Sequence, residues 1–246
     1  MAEFDRPTIA AARAGTGAAI DEGLRSYMLK VYNYMGMGLV VTGLVSWFAS
    51  QAATTATGEL TAWGELLYTS PLMWVVMLAP LGFVLVLSFG INKLSVGAAQ
   101  LTFWGFAAVM GLSISSIFLV YTDASIAKVF FITAATFGSM SLYGYTTKRD
   151  LTGMGNFLMM GLIGLVIASI VNIFMQSSML DFAISAIGVL VFVGLTAYDT
   201  QKIKESYDES AGSEVLAKGA IMGALSLYLD FINLFMMLLR LFGNRE

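Results

Sequence analysis

The last apolar stretch of the chain, residues 217–242, reads AKGAIMGALSLYLDFINLFMMLLRLF. It is longer than the roughly 20 residues that cross a hydrocarbon core about 30 Å thick. One carboxylate, Asp230, lies near its middle. A charged side chain at such a depth costs about 2.5–3.5 kcal/mol on insertion scales, so it marks a functional site by default. The stretch therefore predicts a membrane helix that carries the protein's site.

The composition predicts the same environment for the whole chain of 246 residues. Hydrophobic residues make up 58% and charged residues only 12%, whereas soluble domains carry about 25% charged residues. The apolar runs lack the alternation of barrel strands, so helices are expected. The fold class is therefore an all-α integral membrane protein with seven transmembrane helices. The expected spans are residues 31–50, 71–90, 97–120, 125–146, 155–175, 182–206 and 217–242.

The distribution of Lys and Arg predicts the orientation. Basic residues precede the first span and recur in every second loop, as in Lys148 and Arg149. Since cytoplasmic loops carry this excess, the N-terminus is expected in the cytoplasm. Residues 1–24 are expected to form a disordered cytoplasmic tail and residues 25–246 the membrane domain.

The last span leaves one topological alternative open. A seventh crossing puts Arg240 and Arg245 outside, against the charge bias, whereas a re-entrant segment would keep them inside. Seven crossings are preferred because residues 217–242 are long enough and have no Pro or Gly break in their middle.

The residue types that are missing exclude several kinds of site. The chain has no Cys and no His, which excludes disulfides, zinc–thiolate sites and Ser/His catalysis. No basic run indicates nucleic-acid binding. A proton-sensing site must therefore be built from carboxylates, and no cofactor is expected.

Two intramembrane carboxylates, Asp199 and Asp230, are the candidate site. Asp199 lies about 10 Å from the cytoplasmic end of the sixth span at 1.5 Å per residue, and would be only interfacial if that helix ended near Gln201. Lys93 ends the second span on the same side. It is a candidate counter-ion for the pair, and the alternative is a basic interfacial anchor.

Small and polar residues form a stripe along the last span. It either lines a pore or packs against a neighbouring helix, since small residues at these spacings permit close helix approach. Its members are Gly219, Gly223, Ser226, Asp230, Asn233, Met237 and Arg240.

Three stretches resemble a known family. They are FGSMSLYGYTTKRD at 137–150, AYDTQKI at 197–203 and ALSLYLDFINLF at 224–235. With these motifs the chain resembles a bacterial member of the Bax inhibitor-1, or transmembrane BAX-inhibitor-motif, family from about residue 24 onwards. The resemblance implies seven helices, with the C-terminal helix central between two three-helix layers.

The resemblance also implies a function. Family members described as calcium leak channels use an aspartate pair as pH sensor and binding site, which maps onto Asp199 and Asp230 here. In those members an arginine at the end of the second helix pairs with the sixth-helix aspartate. This chain has Lys93 there, and Lys cannot make the planar bidentate pair of Arg. Other bacterial members are linked to a membrane-bound quality-control protease, so the expected partners are the lipid bilayer of the inner membrane, Ca²⁺ and such a protease.

The residues themselves support a mechanism for the two carboxylates and leave an alternative function open. Two nearby carboxylates in a low-dielectric site cannot both ionise freely, so the pair is expected to titrate as a unit. Ca²⁺ could bridge them, although two carboxylates fall short of its usual 6–8 oxygens.

An intramembrane aspartyl protease would need Gly-x-Gly-Asp where this chain has Leu-Tyr-Leu-Asp230, so no enzyme is expected. The rival is a non-catalytic regulator of a membrane protease or stress response, in which the aspartates are structural.

Overall fold

The structure is a computed structural model that describes the backbone of residues 6–245 and the side chains from Glu22 to Arg245. Seven of its helices, counting α4 and α5 as one span, are long and apolar enough to cross a membrane. This confirms the predicted fold class and the number of spans. The helices are α1 (Arg6–Ala53), α2 (Ala62–Tyr68), α3 (Leu72–Gly90), α4 (Val96–Ile114), α5 (Ile117–Val120), α6 (Asp123–Thr146), α7 (Thr152–Met175), α8 (Ser178–Glu205) and α9 (Ser213–Phe242).

The first helix begins well before the predicted span. The helix passes without a break through Arg25 and Lys30 into the apolar residues that follow. The disordered tail predicted for residues 1–24 falls almost entirely outside the residues whose side chains are described, and it stays a prediction.

The sequence did not predict two local features of the structure. A short helix, α2, begins within the loop expected at 51–70, where the Thr61 hydroxyl accepts a hydrogen bond from the Gly64 N–H and caps its first turn. The span expected at 97–120 is interrupted between α4 and α5. There the Ser115 hydroxyl donates to the Leu112 carbonyl and also bonds the Tyr68 hydroxyl at 2.8 Å. Side-chain bonds of this kind compete with the helix ladder.

Helix α9 is the most buried of the seven spans. Two-thirds of its most apolar part is buried, against 6% for α7. It packs against α1, α3 and α4 and also against α6 and α8, while α7 packs on α8. The arrangement of the other helices in two three-helix layers about α9 stays a prediction.

Hydrogen bonds hold the C-terminus at the α5–α6 turn. Tyr121 and Arg245 form an antiparallel bridge, and the Thr122 N–H donates to the Asn244 carbonyl at 3.1 Å. This turn lies at the end of the bundle opposite the start of α1. Helix α9 is also continuous from Ser213 to Phe242, so the chain crosses the bundle an odd number of times, as the preferred prediction requires.

The two basic residues that oppose the charge bias are engaged at that end. The guanidinium of Arg240 lies 3.7 Å from the Asp181 carboxylate, and that of Arg245 lies 5.8 Å from the centre of the Tyr121 ring. A partner for each charge lowers the cost of placing basic residues on this side.

Candidate functional site: a carboxyl pair between α8 and α9

Small residues on α8 and α9 bring the two helices close enough for their carboxyls to meet. A Cβ added to Gly223 of α9 would lie 3.0 Å from the Ile203 side chain of α8, and one added to Gly188 would lie 2.9 Å from the Met237 sulfur. Close approach of this kind is what small residues permit in membrane helices. Asp199 and Asp230 lie on the two facing sides, between these contacts.

The carboxyl groups of Asp199 and Asp230 are within hydrogen-bonding contact of each other. Since α8 continues to Glu205, Asp199 lies inside its helix and not at the helix end. Asp230 is only 5% exposed, and Asp199 is half-buried. We call these two side chains the carboxyl pair.

One oxygen of the pair has no hydrogen-bond donor. The Oδ2 atom of Asp230 is buried and has no hydrogen-bond partner among the side chains that the structure describes. An orphaned, buried, charged oxygen is among the costliest groups in a protein interior. A proton shared with Asp199 would supply the missing donor and remove one of the two charges.

Lys202 lies one helical turn beyond Asp199 on α8, close enough for its charge to reach that carboxyl. Lys202 is exposed at the end of the helix. The predicted counter-ion, Lys93, is also exposed, and among the described side chains the ion pairs join Lys218 to Glu214 and Arg240 to Asp181. The structure therefore does not bring Lys93 to Asp199.

The pair on its own is a poor metal site. Among residues 22–245 no group of three or more carboxylate, His or Cys side chains could hold a metal ion. A hard dication would have to complete its 6–8 oxygen ligands with water or backbone carbonyls. The chemistry that two carboxyls support by themselves is the holding and release of a proton.

The other residues of the predicted stripe on α9 differ in their surroundings. A Cβ on Gly219 would lie 3.0 Å from the Tyr27 hydroxyl of α1, and the Asn233 amide donates to the Leu229 carbonyl of its own helix at 2.8 Å. Ser226 is half-buried, and Arg240 is exposed beside Asp181. Gly219 and Gly223 therefore lie at helix contacts, while the role of the whole stripe stays a prediction.

Hydroxyl groups that the sequence analysis did not single out join the helices around the pair. The buried Tyr228 hydroxyl of α9 bonds Thr42 of α1 at 2.6 Å, and Thr42 in turn donates to the Ala107 carbonyl of α4. On the other side, the Ser141 hydroxyl of α6 bonds Tyr32 at 2.6 Å and Thr200 at 2.9 Å. These two clusters connect α9 and α8 to the helices that surround them.

A buried amide holds the loop between α6 and α7. The Oε1 atom of Gln201 accepts from the Leu151 N–H at 2.8 Å, and its Nε2 donates to the Arg149 carbonyl at 2.7 Å. Tyr228, Ser141 and Gln201 all lie inside the three stretches that carry the family resemblance. Their polarity within apolar helices was the signal that could have found them.

Comparison with known proteins agrees with that resemblance. The family model described as "Inhibitor of apoptosis-promoting Bax1" matches residues 24–246, nearly the whole chain. The chain belongs to the Bax inhibitor-like family of membrane proteins. The resemblance inferred from the three stretches is thereby confirmed.

Relatives of this Bax inhibitor-like chain come from distant bacteria. It is 51% identical to the inner membrane protein YbhL of Escherichia coli K12 over 227 residues, which are 91% of this chain and 94% of that protein. It is 51% identical over 226 residues to the uncharacterized protein RP147 of Rickettsia prowazekii, covering 92% of each. The uncharacterized protein YrjE of Lactococcus lactis is 40% identical over 222 residues, 90% of this chain and 92% of that protein.

Proposed function

We propose that this protein is a pH-sensitive calcium leak channel of the bacterial inner membrane, controlled without catalysis by the carboxyl pair. The observation that carries the proposal is the buried, donorless Oδ2 of Asp230 beside the carboxyl of Asp199, at the contact between two membrane helices. A charged group in this position raises the free energy of the folded protein in the membrane. Its presence there therefore indicates a function.

The pair can switch because its protonation decides whether α8 and α9 attract or repel each other. With one shared proton, a hydrogen bond between the carboxyls joins the helices. Without that proton, the two charges repel, or a hard cation such as Ca²⁺ bridges them. Two carboxylates give few ligands, so binding is weak and the ion can leave again, which conduction requires.

The orientation that we propose has the N-terminus in the cytoplasm. The alternation of basic and acidic loops supports it, and so does the engagement of Arg240 and Arg245 by protein groups at the opposite end. The printed name of the relative YbhL, an inner membrane protein, supports the choice of membrane. In this orientation the pair lies nearer the cytoplasmic end of α8.

A second candidate function is that of a non-catalytic regulator of a membrane-bound quality-control protease or stress response. It is favoured by the close packing of the stripe, in which Gly219 contacts Tyr27 and Gly223 contacts Ile203. Contacts of this kind hold α9 tightly against α1 and α8. In this function the pair holds helices together and passes no ion.

Calcium flux into dye-loaded proteoliposomes distinguishes the two functions. We expect a leak with the wild-type protein that falls to the rate of empty liposomes in the Asp199→Asn/Asp230→Asn variant, because the amides carry no charge and release no proton. Both proteins must elute as folded, inserted species for the comparison to count. Wild-type flux equal to that of empty liposomes at every pH would reject the channel and favour the regulator.

A further inference from the structure

The lipid-facing surface has an open groove between α1 and α6, on the side of the bundle where α1 begins. It has a volume of about 580 Å³, and its walls include Arg25, Tyr32 and Gly36 of α1 and Gly138, Ser141 and Tyr145 of α6. We call it the α1–α6 groove. The hydrogen bond between Tyr32 and Ser141 joins its two walls.

Glycines leave this groove unfilled by the protein. A Cβ added to Gly36 or to Gly138 would meet no atom within 4 Å, so neither helix fills the space between them. Apolar walls without neighbours lose their packing energy. In a membrane the molecules at hand to restore it are the acyl chains of lipids.

The end of the groove is positively charged. Arg25 lines it directly. The Lys204 ammonium donates to the Tyr145 carbonyl at 2.9 Å and lies 5.9 Å from the centre of the Tyr145 ring, beside the groove. Lys148 and Arg149 follow the end of α6 at the same side. Basic pockets between membrane helices are the recognised sites of anionic lipid headgroups.

We propose that the α1–α6 groove binds one anionic glycerophospholipid. Its phosphate accepts hydrogen bonds from Arg25, and one acyl chain lies between α1 and α6 along Gly36 and Gly138. The guanidinium suits a phosphate because it presents several donors in one plane. This site goes beyond the ion leak and does not depend on it.

The other half of the same seam provides an internal contrast. A second groove of about 390 Å³ lies between α1 and α6 farther along the bundle, and Gly43 lines it. A Cβ on Gly43 would also meet nothing within 4 Å. The charged residue that lines this groove is Asp123, so an anionic headgroup is repelled there. The two grooves offer similar open space but carry opposite charges. Comparing lipid binding at the two therefore separates the contribution of groove shape from that of charge.

Native mass spectrometry of the purified full-length protein in a non-ionic detergent tests the proposal. Phosphatidylglycerol is added in steps, and the fraction of protein with one bound lipid gives the affinity. We expect Gly36→Leu, which fills the groove, and Arg25→Gln, which removes the positive charge of the phosphate donor, each to weaken binding about tenfold, as for one lost charge-assisted hydrogen bond or a few displaced methylenes. The wild type should also prefer phosphatidylglycerol to phosphatidylcholine, and Arg25→Gln should lose that preference.

Two variants serve as matched controls. Gly43→Leu fills the second groove, and Lys30→Gln removes an exposed cation of α1 that does not line the groove. We expect both to bind phosphatidylglycerol as the wild type does. Wild-type affinity in Gly36→Leu, or an undiminished preference for phosphatidylglycerol in Arg25→Gln, would overturn the proposal. Helix propensity favours Leu over Gly, and an unchanged Tm checks that Gly36→Leu is folded.

Discussion

At the scale of single residues, the carboxyl pair was identifiable from the sequence, but its partners were not. Asp230 was conspicuous because a carboxylate in an apolar helix is rare. Its contact with Asp199 depends on how α9 is tilted against α8, which spacing along one helix does not encode. The same limit applies to Lys93, which ends the second span on the expected side but makes no ion pair with Asp199, whereas Lys202 acts on Asp199 from the same helix.

Replacing Gln201 by Ala tests the amide that holds the α6–α7 loop. Both of its hydrogen bonds go to backbone groups, at Leu151 and Arg149. Losing them leaves a buried N–H without an acceptor, which costs about 1–3 kcal/mol. We expect a Tm lower by about 2–12 °C, given the size of the chain. Tryptophan fluorescence during heating in detergent measures it.

The control for that change is Gln51→Ala. Gln51 is an exposed amide of α1, and substitutions at exposed positions usually change stability by no more than about 0.5 kcal/mol. If Gln201→Ala melted with Gln51→Ala and the wild type, the amide would not hold the loop.

At the scale of helices, hydrophobicity predicted six of the seven spans to within four residues, because in lipid a helix is one of the few ways to satisfy the hydrogen bonds of the backbone. The exceptions are local. Helix α1 begins well before the predicted span, and the break at Ser115 depends on hydroxyl bonds to Leu112 and Tyr68. The sequence does not show which glycines lie against a neighbouring helix. Gly144 and Gly138 lie on the same helix, but only Gly144 faces α8.

Two glycine substitutions on α6 should therefore have opposite effects. A Cβ at Gly144 would overlap the backbone carbonyl of Ala197 on α8, whereas one at Gly138 would meet nothing within 4 Å. We expect Gly144→Ala to lower the free energy of unfolding by about 2 kcal/mol or more, as overpacking does. Gly138→Ala should leave it unchanged or raise it by up to about 1 kcal/mol through helix propensity.

Thermal melting of both variants in the same detergent measures the difference. Equal Tm values for Gly144→Ala and Gly138→Ala would mean that α6 and α8 are not in the close contact described here.

At the scale of the whole molecule, the odd number of crossings follows from the position of the C-terminus at the α5–α6 turn. The sequence left this open, because Arg240 and Arg245 argued against the seventh crossing. Their partners, Asp181 and Tyr121, are distant along the chain and meet them only in the folded bundle. The cytoplasmic N-terminus remains a prediction from the charge of the loops.

Single cysteines test that orientation cleanly, since the chain has none of its own. Ser210, in the loop before α9, lies at the end where α1 begins, and Thr57, in the loop after α1, lies at the opposite end. In spheroplasts we expect a membrane-impermeant maleimide to label Thr57→Cys at once and Ser210→Cys only after the membrane is permeabilised. The reverse pattern would place the N-terminus outside.

The central claim is that Asp199 and Asp230 give the leak its response to pH. The most direct measurement is calcium flux into proteoliposomes over a series of pH values, for the wild type, Asp199→Asn, Asp230→Asn and the control Asp208→Asn. Hydrogen bonds from the Ser210 hydroxyl and N–H hold the pKa of the exposed Asp208 below its ordinary value, so this carboxyl stays ionised near neutral pH. We predict that the flux changes with pH in the wild type and in Asp208→Asn, and that either single variant of the pair abolishes the change. A pH response that persists in Asp230→Asn would contradict the account.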